Sequence, residues 1–189
     1  MEVIRRAGVD LGGDWGNFCV RATAIILCMT IISCDRAASL TEQEAKTALD
    51  LKIQPVQPRY SLTSDRFFEI KLSFVNTLAK PIRINSALNY FETEATLIYQ
   101  ISDSAGHAPK RRIQIPRRPP MSKKDFPEID AKGSMAISQD LRSEFQFDGP
   151  ARYTLSAIYE NRDDGEAHGL KNVWTGKIQS ESIMFEVIE

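Results

Sequence analysis

Residues 68–76 read Phe68-Glu69-Ile70-Lys71-Leu72-Ser73-Phe74-Val75-Asn76. Apolar side chains stand at 68, 70, 72 and 74, with Glu69, Lys71 and Ser73 between them. A period of two belongs to an extended strand, whose successive side chains leave opposite faces. The stretch predicts a strand with one buried face, closing at the turn Asn76-Thr-Leu-Ala-Lys80-Pro81.

The same period recurs on both sides. Leu49, Leu51 and Ile53 alternate with Asp50, Lys52 and Gln54 until Pro55 and Pro58 break the run. Downstream, Ile82 and Ile84 are expected on one face, with Arg83 and Asn85 on the other. Ala95, Leu97, Tyr99 and Ile101 alternate as far as the turn Asp103-Ser-Ala-Gly106. Met135 and Ile137 follow, then Tyr153, Leu155, Ala157 and Tyr159, and last Ile183, Phe185 and Val187. No long helical period occurs after residue 47. Asp140 to Phe147, with Leu141, Phe145 and Phe147, reads as a helical turn or an irregular strand. The expected fold is all-β, an antiparallel β-sandwich of about seven or eight strands over residues 48–189.

The first third of the chain is of another kind. Ala22 to Ser33 is an uncharged, mostly apolar run of twelve residues behind Arg21. As a helix it spans about 18 Å, against about 30 Å of bilayer hydrocarbon, so it is short for a membrane span and fits the hydrophobic region of a signal peptide. It ends in Ile31-Ile32-Ser33-Cys34, which resembles the bacterial lipobox. The resemblance implies cleavage between Ser33 and Cys34 and a diacylglyceryl group on the Cys34 sulfur, the most nucleophilic side chain near neutral pH. The other cysteines, Cys19 and Cys28, both precede the cut, so the mature chain would hold a single, chemically capped thiol. Glu2, Asp10 and Asp14 make residues 1–19 an unusual signal-peptide start, and the expectation is that translation begins near Val20. Asp35 resembles an inner-membrane retention signal of enteric-type bacteria, a rule that leaves inner and outer membrane open elsewhere. Residues 34–47 read as a lipidated cysteine and a tether, with a short helix docked on the fold as the alternative.

Two further segments carry a resemblance. Asp148-Gly149-Pro-Ala-Arg-Tyr153-Thr-Leu-Ser-Ala157-Ile-Tyr159 resembles the penultimate strand of an immunoglobulin-like domain, which implies a Tyr153 hydroxyl bonded back to the preceding turn. Trp174-Thr-Gly176-Lys-Ile-Gln-Ser180 and Ile183-Met-Phe-Glu-Val187 resemble the final strand of bacterial immunoglobulin-like domains. The Asn76 turn with Lys80-Pro81 is similar to domains named after the Bacillus intracellular proteinase inhibitor. The inter-sheet disulfide of antibody domains is absent. These motifs speak to fold more than to function.

The composition, 42% hydrophobic and 26% charged, is that of a folded globular chain, and a net charge of -1 gives no global attraction to nucleic acid or acidic lipid. A local one exists. Lys110, Arg111, Arg112, Arg117, Arg118, Lys123 and Lys124 fall within fifteen positions, interrupted by Pro116, Pro119 and Pro120, which favour an extended loop. This segment is a candidate contact for an anionic partner, such as lipid headgroups, an acidic envelope polymer or an acidic protein, with a solvated connection between sheets as the alternative. It lacks the interleaved aromatics of a nucleic-acid arm. Tyr90, Phe91 and Phe126 are candidate partner-facing aromatics or core plugs. His107 and His168 sit beside glycines in polar turns; Asp163, Asp164 and Glu166 precede His168 but match no EF-hand spacing. No nucleophile elbow, phosphate loop or paired-cysteine metal motif occurs. The expected protein is a lipid-anchored binding protein of the cell envelope, without catalysis, cofactor or metal. An envelope protease inhibitor presenting loops is the alternative, and a small accessory enzyme ranks last.

Overall fold

The computed structural model describes residues 40–88, 95–112 and 120–189. In chain order these hold α1 (Glu42–Thr47), β1 (Leu49–Pro55), β2 (Arg59–Ser61), β3 (Glu69–Asn76), β4 (Ile82–Arg83), β5 (Ala95–Asp103), β6 (Lys110–Arg111) and β7 (Glu128–Ile129). Then follow β8 (Ser134–Asp140), α2 (Leu141–Glu144), β9 (Phe145–Gln146), β10 (Ala151–Asn161), β11 (Gly176–Gln179) and β12 (Ile183–Ile188). The chain is all-β, as the alternation predicts, with β4, β6, β7 and β9 only two residues long.

β3 is the centre of a three-stranded antiparallel sheet, between β1 and β8. Its apolar residues Ile70, Leu72 and Phe74, with Phe68 just before it, are fully buried, while Glu69 and Lys71 are exposed. The second sheet is built on β10. β5 pairs along one side of it, from Asn161↔Ala95 to Tyr153↔Asp103. The other side is shared end to end by β12, from Ala151↔Val187, and β11, as far as Asn161↔Gly176. Where those two strands meet, Ser180 N donates to the Ala157 carbonyl at 2.9 Å and Ser180 Oγ accepts from Ala157 N at 2.9 Å. A side-chain oxygen there takes the place of a backbone acceptor, which keeps the ladder satisfied across the break.

Aromatic side chains join the two sheets into one core. Phe74 of β3 meets Tyr159 of β10 edge-on at 5.0 Å, and Phe68 stacks on Tyr60 of β2 at 5.0 Å. Phe147 touches Phe68, Tyr153 and Phe185. Edge-on and offset contacts suit the ring quadrupole and add to the burial of large apolar area.

Three expectations are corrected. The sheets are not wholly antiparallel: β2 runs parallel to β12, from Arg59↔Glu186 to Ser61↔Ile188. Asn85 does not face solvent. β4 ends at Arg83, so the alternation stops there and Asn85 turns fully inward, where its Oδ1 accepts from Ala87 N at 3.0 Å. Among the described residues, no bond joins the Tyr153 hydroxyl to the preceding Asp148–Gly149 turn, and the tyrosine that bonds a separate segment is Tyr159. Its hydroxyl donates to the Asn85 carbonyl at 2.9 Å and accepts from Asn85 N at 3.1 Å. Burial pushes that hydroxyl well above the ordinary tyrosine pKa, so it stays protonated and able to donate.

The end of the tether segment takes the alternative form, a short helix docked on the fold. That helix is Glu42–Thr47. Thr41 and Glu44 form a reciprocal cap, with Glu44 N donating to Thr41 Oγ1 at 3.2 Å and Thr41 N to Glu44 Oε2 at 2.9 Å. Six residues are too few to stay helical alone. Tertiary bonds hold them: Trp174 Nε1 donates to the Ala45 carbonyl at 2.7 Å, Thr77 Oγ1 donates to the Thr47 carbonyl, and Lys80 Nζ pairs with Glu44 Oε1 at 2.9 Å.

The Glu44 carboxyl is lowered from 4.5 to about 2, first by the Lys80 hydrogen bond and then by the Thr41 amide. A depressed carboxylate pKa means that this contribution to docking is complete above 4.5 and is lost as pH falls toward about 2. Acidification across that window is expected to loosen α1 and change Trp174 fluorescence, and Glu44→Gln should abolish the transition. An unaltered acid response in Glu44→Gln would refute this.

Candidate functional site

The basic segment begins near the end of the sheet where β3 starts and β8 stops. Asp140 Oδ1 accepts from Phe68 N at 2.8 Å and from Arg142 N at 3.0 Å, so it stops the strand and starts α2. Leu141 drops into the core, and the chain leaves α2 as β9 with Phe145 buried. β6 then pairs with β9, Lys110 opposite Gln146 and Arg111 opposite Phe145. The start of the basic segment is therefore a strand and not the expected loop, because its backbone groups find partners in β9. Lys110, Arg111 and Arg112 are exposed. Arg112 N donates to the Glu144 carbonyl at 2.6 Å, and Arg111 Nη2 lies 3.7 Å from Glu144 Oε2.

Beside this ribbon lies a cleft of about 580 Å³ lined by Tyr99, Ile101, Pro109, Arg111, Phe145 and Ser156, among others. Tyr99 is 8% exposed, and its buried hydroxyl has no hydrogen-bond partner among the described residues. Burial and, next, the negative charge of Glu144 raise its pKa far above the ordinary value, so it is a permanent O–H donor. Gln100, which also lines the cleft, accepts at Oε1 from Ser156 Oγ at 3.3 Å and from Gln179 Nε2 at 3.0 Å. A guanidinium and an amide–hydroxyl cluster can bind a carboxylate, carbonyl or phosphate oxygen. Among the described residues lining the cleft, no nucleophile is paired with a base.

Lys123 and Lys124 sit elsewhere. They open a 3-10 turn, Lys123–Asp125, in which Ser122 N donates to Asp125 Oδ2 at 2.7 Å. Lys123 Nζ comes within 4.0 Å of the space that a Cβ on Gly169 would occupy. Gly169 belongs to a second cleft of about 500 Å³, lined also by Leu40 and Ala45 from the start of the fold and by Glu166, Lys171 and Asn172. The cations described thus face two surroundings, and among the described residues Lys110, Lys123 and Lys124 have no ion pair within 4.0 Å. Arg117 and Arg118, Ser33 and Cys34, and Tyr90 and Phe91 lie outside the described residues.

The other candidates resolve into structure. Phe126 is fully buried, with the His168 ring tilted against it at 5.2 Å. Asp163 Oδ1 accepts from Gly165 N at 2.8 Å and Asp164 Oδ1 from Glu166 N at 2.9 Å, so two carboxylates close the turn before His168. His107 Nδ1 lies 3.5 Å from Asp103 Oδ2. Hydrogen bonds from the backbone amides of His107 and Ala105 hold the Asp103 carboxyl below the usual carboxylate range. Among the described residues, no three His, Cys, Asp or Glu side chains gather as metal ligands, and no helix is long and apolar enough to cross a membrane.

The Tyr99 hydroxyl has no signature in the sequence, where Tyr99 is one more apolar position in an alternating strand. No protein-family model matches the chain, and no curated protein matches it either.

Proposed function

We propose that this chain is a lipid-anchored protein of the bacterial cell envelope that binds another macromolecule through an immunoglobulin-like sandwich and catalyses no reaction. The observation that carries the proposal is Ile31-Ile32-Ser33-Cys34 at the end of an uncharged apolar run, with no cysteine after it. The docked helix supports it. The N-cap Thr41 follows Cys34 by seven residues, a tether of at most about 25 Å when fully extended. That tether keeps the α1 end of the fold near the lipid, where Lys171 lines the cleft beside Leu40 together with Asp164 and Glu166, and Lys123 approaches it at Gly169. Each cation that reaches an anionic leaflet adds about 1 kcal/mol, a useful supplement to acyl anchoring. Two facing sheets, with a long β10 closed along one side by the last two strands, support the immunoglobulin-like reading. The Arg111–Tyr99 cleft is the surface offered to an anionic group on the partner.

Protease inhibition is the second reading, favoured by the rigidity of the Lys80–Pro81 turn. Asn76 Nδ2 donates to the carbonyls of Lys80, Ile129 and Asp130 at 2.8, 3.1 and 2.9 Å. A loop held in one conformation binds with little ordering cost. Stable capture of a protease from solubilised envelope would favour this reading over the first.

The test of the anchor is metabolic labelling with radioactive palmitate, followed by detergent phase partitioning. The wild type is expected to label and enter the detergent phase, and Cys34→Ser to do neither. Equal labelling and partitioning of both would overturn the proposal.

A further inference from the structure

β8 stands at the edge of the three-stranded sheet, and its backbone bonding can be read from two hydrogen bonds. Leu141 N donates to the Phe68 carbonyl at 3.0 Å, and Asn76 N donates to the Gly133 carbonyl at 2.9 Å. In an antiparallel ladder, hydrogen-bonded pairs alternate with non-bonded ones. The register Ile70↔Gln139, Leu72↔Ile137 and Phe74↔Met135 therefore turns the N–H and C=O groups of 135, 137 and 139 toward β3. Those of Ser134, Ala136 and Ser138 point away from the sheet, and among the described residues no strand pairs with that edge.

An open edge is normally blunted by charge, proline, a bulge or short length. Three of the other edges show such guards: β1 carries Asp50 and Lys52 and ends in Pro55, and β2 and β11 have three and four residues, while β5 is uncharged from Ala95 to Ser102 and lacks the palindrome of size and polarity that β8 carries. From Ser134 to Gln139, β8 has neither charge nor proline, and all its residues are exposed or half-exposed. Its side chains also form a palindrome of size and polarity about Ala136: small Ser134, apolar Met135, small Ala136, apolar Ile137, small Ser138.

We infer that β8 is a self-association edge, whose partner is β8 of a second copy of this chain, antiparallel about a two-fold axis at Ala136. In that register Ala136 faces its own copy and Ser134 faces Ser138, each a hydrogen-bonded pair using the outward backbone groups. Met135 faces Ile137 in the closer, non-bonded pairs, on the side that already packs against the core. Both side chains lose their remaining exposure, and the two three-stranded sheets become one six-stranded sheet. The contact is isologous, so it closes at two copies.

The test is the sedimentation mass of the full chain in detergent, with Ala136→Lys and Ala136→Asp. Ala136 is exposed and bonds no residue of β3, so both variants are expected to keep the wild-type circular dichroism. The wild type should sediment at the mass of two chains. Each variant alone should fall to half that mass, because like charges meet only when a chain pairs with itself. An equal mixture of the two should recover the mass of two chains. A monomeric wild type, a charge variant that stays dimeric, or a mixture that stays monomeric would each overturn the inference. So would a wild type that gains mass only when a different protein is present.

Discussion

Phe74→Ala is expected to lower the free energy of unfolding by about 3–5 kcal/mol, the usual cost of removing a fully buried phenylalanine. The side chain is 0% exposed, lies in the middle of the central strand β3, and meets Tyr159 of the opposite sheet at 5.0 Å. Tyr159 cannot move to fill the space without giving up both bonds to Asn85, so the cavity would remain largely open. Urea unfolding followed by circular dichroism would measure the loss. Ser73→Ala, on the outer face of the same strand, should change stability by no more than about 0.5 kcal/mol. Equal losses for both substitutions would contradict the assignment of faces.

Asn76→Ala should cost about 2–3 kcal/mol, since it leaves several polar groups without partners in and around the core. The residue is 1% exposed. Besides the three carbonyls its Nδ2 serves, its Oδ1 accepts from Leu78 N at 2.9 Å. One amide thus ties the end of β3 to the Lys80 turn and to the chain at 129–130. Asn76→Asp is expected to be at least as damaging near neutral pH, because it sets a carboxylate against three carbonyl oxygens. Chemical unfolding of both variants checks the order. An aspartate variant as stable as the wild type would show that the amide hydrogens do not matter.

Phe74 and Asn76 mark how far the sequence can be read. The core role of Phe74 was legible, because burial on one face of a strand leaves a period of two in neighbouring residues. Asn76 was legible only as a turn former. Its buried bonds reach residues 53 and 54 positions away, and no local pattern encodes them. Tyr153 and Tyr159 repeat the lesson. Both lie on the same face of β10, and which of them bonds a distant turn depends on where Asn85 is carried, 74 positions from Tyr159. The candidate site divides in the same way. Charge density showed the basic segment, but not that its first residues pair with β9 or that Lys123 lies beside Gly169.

From the sequence alone come the all-β class, the core faces of the long strands and the lipobox resemblance at Cys34, because period, charge and short motifs are relations between near neighbours. The tertiary structure alone decided the docking of α1, the parallel β2–β12 pair and, among the described residues, the burial of the Tyr99 hydroxyl and the unpaired edge of β8. Each depends on which residues far apart in the chain meet, or fail to meet, once the two sheets close on their common core.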